Sequence, residues 1–517
     1  MHEFVRGLAV MAAGALLAAC TTADPAGWPA VPGDGGAAAA RFERLKAERP
    51  AELSAFLRAM PKGGDLHNHL SGTVYAENFI AWAIADGRCL VVAEQAIAPA
   101  PCDAKAGRPA LAEAVESADA YNRLIDALST RNYALREVSG HDQFFETFAR
   151  FGAAEGGRDG DMLAEAMVRA ADQNIGYLEL MLSPGMAAAR ALGARVGWDD
   201  DLARFRGRLE AAGLPAVVSG ARDEFTAMET RAREILDCAG SRPPACDVTV
   251  RYLAQVIRVF PREQVFAQTA LAFALVAADP RIVGLNFVAP EDDRTALGDY
   301  SLHMRMIAAL AAGTPGVPVT LHAGELALGL VPPEDLRFHI REAVEVAGAR
   351  RIGHGVDLLH EDRPYDLLRR MAEGGIAVEI NLTSNDVILG IVGDEHPFET
   401  YRAHGVPLTL STDDEGVSRI DLTHEYVRAV RTYDLGYGDV KALSRNALTY
   451  AFLPGVSLWA DPAAARPLGA CMRDDLGDPK PSQPCAAVLA RSEKARAQWR
   501  LEAAFEVFEA EQAKLAP

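Results

Sequence analysis

Lysine and arginine are in short supply in this chain: 52 of 517 residues, against 71 aspartates and glutamates, for a formal charge of −19. A surface this acidic repels phosphate backbones, so nucleic acid is excluded as an expected partner. Cysteine is scarce as well, at seven. That is too few for a small disulfide scaffold, and no Cys-x-x-Cys spacing occurs. No apolar run reaches the roughly 20 residues that a membrane-spanning helix needs. No unit of about 20–50 residues recurs, so a solenoid or propeller is not expected. Hydrophobic residues, by contrast, make up 50% of the chain and charged ones 24%. That balance fits a soluble globular protein with a large core and rules out a mostly disordered chain. Three domains of about 150 residues would fit the length, but a single barrel can run well past that size.

The chain opens with a short polar start containing Arg6, then an apolar run from Gly7 to Ala19. The run has the length of a signal-peptide core. It ends Leu17-Ala18-Ala19-Cys20, which resembles the lipobox of bacterial lipoproteins. That resemblance implies cleavage before Cys20 and a lipid on its sulfur; an ordinary signal peptide is the alternative. The expected organisation is a signal over residues 1–19, a Pro/Gly/Ala-rich tether over 20–40, and one domain over 41–517. The protein is then expected in the cell envelope or periplasm, touching a bacterial membrane through its anchor alone. The other six cysteines fall in three close pairs around Gly, Pro or Asp. Export exposes them to oxidising conditions. Local disulfides Cys89–Cys102, Cys238–Cys246 and Cys471–Cys485 are therefore expected, with free or metal-binding thiols the alternative.

Short apolar runs alternate with helical patterns from residue 64 to about 455. They cover 64–70, 176–182, 247–254, 282–288, 317–322, 351–355, 376–382 and 406–412. Buried parallel strands read as continuous apolar runs separated by helices. Eight such units predict an α/β fold, a (β/α)8 TIM barrel; an open doubly wound sheet shares the alternation. About a hundred residues separate the first two runs, so extra helices should be inserted there. Residues 486–515 carry Trp499, Leu501, Phe505 and Phe508 at helical spacing and predict a C-terminal helix packed outside the barrel.

His67-Asn68-His69 closes the first run, and alternation points both imidazoles to one face. Alone, such a pair is more often an ordinary surface or hydrogen-bonded one. The fifth run ends His322-Ala323-Gly324-Glu325, the sixth Gly353-His354-Gly355 and the eighth Thr412-Asp413-Asp414. Four strands thus place His or Asp at the end where barrel active sites sit. These motifs, with Met60-Pro61-Lys62-Gly63-Gly64 before the first, resemble the adenosine deaminase family, and the start resembles its secreted, growth-factor-related branch.

The resemblance covers roughly residues 55–455. It implies hydrolytic deamination of adenosine or a related 6-aminopurine nucleoside. His67, His69, His322 and Asp413 would hold one divalent metal ion. Zinc is the expected ion, because it takes N and O ligands and keeps a position open, and iron or another divalent ion remains an alternative. Glu325 would protonate the ring as oxygen adds; otherwise it is a helix-start glutamate. His354 would orient the attacking water and handle its proton; otherwise it is a fifth metal ligand or a buried, hydrogen-bonded residue. Asp413 would also hold the water. Asp414 and Ala289 would contact the purine, although Asp414 could instead be a helix N-cap.

The sequence departs from the family's pattern at three positions, and most of all in the sugar-binding part. Ser71 stands where an aspartate is common, Met181 where an arginine is, and Ala289 where the fourth strand ends in glycine. Two alternatives remain: another hydrolase of the amidohydrolase type, such as a dipeptidase or cyclic amidase, and a non-catalytic nucleoside-binding barrel. His141, His303, His339, His360, His396, His404 and His424 match no motif and are given no role.

Overall fold

The computed structural model describes residues 36–515. Eight barrel strands run β1 Gly64–His69, β2 Tyr177–Leu182, β3 Thr249–Ile257, β4 Ile282–Val288, β5 Thr320–Ala323, β6 Arg351–His354, β7 Ala377–Ile380 and β8 Leu408–Leu410. Each falls on one of the expected runs. Strands β1 to β4 pair in sequence order and all in parallel, and so do β5 to β8. Parallel bridges join the two halves at Leu285–Val319 and Asn68–Asp413. Both seams of the sheet are therefore closed, which makes it a barrel and not an open sheet. Strands β2 and β4 are buried at every position. This is why they read as unbroken apolar runs: helices cover one side and the barrel interior fills the other.

The stretch between β1 and β2 folds as expected into extra elements. Its main helices are Ala76–Ala85, Ala118–Ala127, Gly140–Glu155 and Asp159–Asp172, with a small hairpin of Cys89–Val91 against Ala96–Ala98. Ser139 starts the third helix by accepting a hydrogen bond from the Asp142 N–H at 3.0 Å. All three expected disulfides are present: Cys89–Cys102, Cys238–Cys246 and Cys471–Cys485.

Two boundaries differ from expectation. The tether assigned to residues 20–40 does not extend to 40, because Gly36–Glu48 is a helix with Ala38, Phe42 and Leu45 buried. The expected signal and Cys20 lie outside the described residues. The single C-terminal helix is two, Gln483–Arg491 and Glu493–Lys514. Ser492 breaks it: its hydroxyl accepts from the Ala495 N–H at 3.0 Å and donates to the Val456 carbonyl at 2.7 Å, so it caps a new helix. Trp499, Leu501, Phe505 and Phe508 are buried in the second piece, as their spacing implied. Among the described residues, no helix is long and apolar enough to cross a membrane.

Candidate active site

The C-terminal rim of the barrel gathers the residues singled out above. His67 and His69 leave β1 on the same side, His322 ends β5, His354 ends β6, and Asp413 follows β8. Nε2 of His322 lies 3.1 Å from Nε2 of His67 and 3.3 Å from Nε2 of His69. Oδ1 of Asp413 lies 3.3 Å from Nε2 of both His67 and His69. Donor atoms placed at the corners of a tetrahedron about 2.0–2.1 Å from a central ion stand about 3.3 Å apart. The four atoms therefore have the spacing of a ligand set.

Their hydrogen bonds explain the orientation. Nδ1 of His67 meets Oε2 of Glu379 at 2.6 Å, Nδ1 of His69 meets Oε1 of Gln255 at 3.0 Å, and Nδ1 of His322 meets Oδ1 of Asn286 at 3.0 Å. Each partner accepts, so each ring spends its Nδ1–H outward and a neutral ring aims an Nε2 lone pair inward. Three lone pairs and a buried carboxylate oxygen with no donor of its own then face one point. Such an arrangement calls for positive charge. Without an ion a proton supplies it: despite burial, Asp413 and Glu379 hold His67 up to about 10. The donor set fits a divalent ion of the zinc type.

Beside this cluster stands Glu325. It follows β5 in a loop, so it is not the start of a helix. Burial, reinforced by the charges of Asp413 and Glu291, pushes its carboxyl well above the usual carboxylate range. The shift favours its protonated form. Oε1 of Glu325 is 3.3 Å from Nδ1 of His354, whose ring burial pushes down to about 3. Asp414 is pushed up to about 8 by burial. It occupies the N-cap position of the helix Glu415–Ser418, but its side chain makes no capping bond and its buried Oδ1 has no partner among the described residues. Gly72 makes room for it, since a Cβ there would lie 1.4 Å from Oδ1 of Asp414.

Three residues of this rim adopt the left-handed backbone: Ala289 at φ 83°, His354 at 68° and Asp413 at 61°. Side chains with a Cβ rarely take this conformation, and it concentrates at functional sites. Ala289 holds the backbone shape that the family's glycine would adopt freely.

A cavity of about 340 Å³ opens over the cluster. Its floor holds His69, His322, Glu325, Asp413 and Asp414, and its walls include Ile257, Val288 and Ala289. Phe144, Phe145 and Phe148, from the inserted helix Gly140–Glu155, form the roof. A second cavity of about 400 Å³ shares Phe148, Gln255 and Ile257 with it. There Ser71 and Met181 stand near Glu155, Asp159 and Glu224, and Ser71 hydrogen-bonds Glu155. Burial and the neighbouring Asp159 push Glu155 up to about 7. Among the described residues, no lysine or arginine lines either space.

Several site residues went unrecognised in the sequence. Glu379, Asn286 and Gln255 orient the three imidazoles. Glu291 holds the catalytic loop: its carboxylate accepts from the N–H groups of Gly324 at 3.1 Å and Glu325 at 2.9 Å, and meets Nδ1 of His339 at 2.6 Å. The available signal was a polar residue inside an otherwise apolar strand run, as in Asn286 of IVGLNFV and Glu379 of AVEI.

Comparison with known proteins agrees with this arrangement. Residues 126–457 match the family model described as adenosine deaminase. The chain is 33% identical over 216 residues to the adenosine deaminase of Pectobacterium atrosepticum, 42% of this chain and 58% of that one. It is 33% identical over 138 residues to that of Clostridium perfringens, 26% and 38% of the two chains. An adenine deaminase of Rhizobium johnstonii is 31% identical over 186 residues, 36% and 52%. The match thus spans between 38% and 58% of the length of these three relatives. Among solved structures, Arabidopsis ADAL complexed with IMP aligns with a TM-score of 0.51 at 21% identity, covering 77% of this chain and 93% of that one. The adenine deaminase of Arthrobacter aurescens aligns at 0.50 and 17%, covering 76% and 94%. At these identities the likeness is one of fold.

Proposed function

The chain belongs to the adenosine deaminase family, and from that premise we propose that it deaminates adenosine or a close 6-aminopurine nucleoside to the inosine-type product and ammonia. The observation that carries the proposal is the convergence of three Nε2 atoms and Asp413 Oδ1 next to Glu325, a carboxyl that burial shifts toward its protonated form. His67, His69, His322 and Asp413 would hold one divalent ion, zinc by preference for this N/O set. When bound, the ion supplies Lewis acidity, which brings the pKa of a water from 15.7 to about 7.

The protein's side chains do the rest. Glu325 gives its proton to the ring nitrogen while water oxygen bonds to the adjacent carbon, and this relieves the charge that addition puts on the ring. The carbon–nitrogen bond to the amino group then breaks; of the added water's two protons, one leaves with the ammonia and the other restores Glu325. Asp414, largely protonated near neutral pH, can donate a hydrogen bond to a purine ring nitrogen. The Phe144–Phe145–Phe148 roof keeps water off the base.

The adjoining space favours a nucleoside over a nucleotide. A phosphate there would meet Glu155, Asp159 and Glu224 and find no cation lining the wall. The test is a panel of adenosine, deoxyadenosine, adenine and AMP, incubated with metal-loaded protein and read by ammonia release. Adenosine should give inosine. Failure on every 6-aminopurine would remove the deaminase reading, and AMP turning over faster than adenosine would reverse the nucleoside assignment.

For location, the proposal is an exported, lipid-anchored protein, supported by the Leu17–Cys20 motif. Mass analysis should find a lipidated N-terminus at Cys20; an intact Met1 in the cell envelope would count against it.

A further inference from the structure

We infer that a buried relay from the Phe398 backbone through His396 and Asn385 fixes His354 with its proton on Nε2, which makes Asn385 and His396 positioning residues for the reaction proposed above.

The relay starts from a donor whose identity is not in question. The Phe398 backbone N–H donates to Nδ1 of His396 at 3.1 Å. A ring nitrogen that accepts carries no proton, so the His396 proton sits on Nε2. That Nε2 is 3.1 Å from Oδ1 of Asn385 and donates to it. The bond settles which end of the Asn385 amide is oxygen. The other end, Nδ2, is 2.9 Å from Nδ1 of His354, and Nδ2 of Asn381 is 3.5 Å from the same atom. Nδ1 of His354 therefore accepts, and its proton sits on Nε2. Oε1 of Glu325 stands 3.3 Å from the same Nδ1 but makes no hydrogen bond with it, so the assignment rests on the two amide donors. All members are buried: His354 and Asn385 at 0% exposure, His396 at 3%.

The outcome is the reverse of the other three imidazoles. His67, His69 and His322 spend Nδ1–H on Glu379, Gln255 and Asn286 and offer Nε2 lone pairs. His354 offers an Nε2–H, and that nitrogen has no partner in the protein. Its ring lies 4.9 Å from that of His67 and 5.0 Å from that of His322. A protonated nitrogen cannot ligate a metal, but it can donate to an oxygen. His354 thus holds the attacking oxygen from the side while the other three hold the ion, and it is not a further ligand.

The inference rests on the deaminase reading for its consequence but not for its geometry, and the experiment separates them. Nitrogen-15 NMR of histidine-labelled, metal-free full-length protein should show His354 protonated at Nε2. Asn385→Asp replaces the donor by an acceptor and should move that proton to Nδ1. The same variant, metal-loaded, should lose on the order of 10²–10⁴ in kcat with adenosine, the usual share of acid–base catalysis, while KM changes little. His396→Gln, which keeps a donor toward Asn385, should retain more of kcat than His396→Phe. A wild-type His354 protonated at Nδ1 would overturn the inference, as would a folded Asn385→Asp protein with unaltered tautomer and kcat. If wild-type protein shows the Nε2–H form, Asn385→Asp shifts it, and no 6-aminopurine is turned over, the relay stands and the deaminase reading falls.

Discussion

Glu325 owes its chemistry to its surroundings. A glutamate in water is ionised at neutral pH, whereas burial and the charges of Asp413 and Glu291 shift this side chain toward its protonated form. Glu325→Gln preserves shape and removes the transferable proton. It should therefore bind one equivalent of metal as the wild type does and lose about 10²–10⁴ in kcat. Metal analysis and ammonia release on one sample check both halves. The ligands themselves were legible in the sequence because each is a His or Asp at the end of an apolar run, and motif order brought them together. Their partners were not. Glu379 sits in the middle of a buried strand, where it accepts from His67, Thr320 and Arg351. One-dimensional pattern gives no hint that a strand glutamate has three donors around it.

At the level of elements, the insertion after β1 supplies more than length. Its helix Gly140–Glu155 roofs the cavity with Phe144, Phe145 and Phe148 and brings Glu155 to Ser71. The turn after β1 is as demanding. A Cβ at Gly72 would lie 1.4 Å from Asp414 Oδ1, so Gly72→Ala must move the carboxylate. The expected result is retained metal and a rise in KM for adenosine of roughly two- to tenfold, as for loss of a neutral hydrogen bond. Steady-state kinetics with metal analysis reads it, and an unchanged KM would remove Asp414 from substrate contact. The eight strands could be read in advance because burial on both faces makes them uniformly apolar. The helix from Gly36 could not. Its GAAAARF start has the composition of a tether, and alanine is the best helix former. The choice is made by tertiary packing: the Phe42 ring stands 5.5 Å from Phe56 and 5.9 Å from Tyr437.

For the molecule as a whole, buried carboxyls set a pH dependence of stability. Glu425 is fully buried against Thr383, and burial pushes it up to about 7. Its folded pKa lies above the unfolded value of about 4.5, so the folded state binds the extra proton between those two values. Stability from this group is full below pH 4.5 and is lost as pH rises toward 7. Thermal unfolding of wild type and Glu425→Gln across that window should show a shallower decline in Tm for the variant. Parallel slopes would rule out Glu425 as a contributor. The net charge of −19 is not evenly spent, either. Among the described residues, acids line both cavities without an opposing lysine or arginine, which suits the uncharged nucleoside proposed.

Local patterns in the sequence by themselves determined the strand count, the order of the motifs, the cysteine pairs and the histidines proposed to hold a metal. Each of these depends on periodicity or on spacing between near neighbours, and periodicity follows from which face of an element is buried. Tertiary structure alone decided the rest. It closed the sheet by pairing β1 with the residues after β8 and β4 with the residue before β5. It set the tautomers, because Asn385 and His354 lie 31 residues apart, and His67 and Glu379 lie 312 apart. Which nitrogen holds a proton depends on a partner's atom within about 3 Å, and only the folded chain puts that atom there.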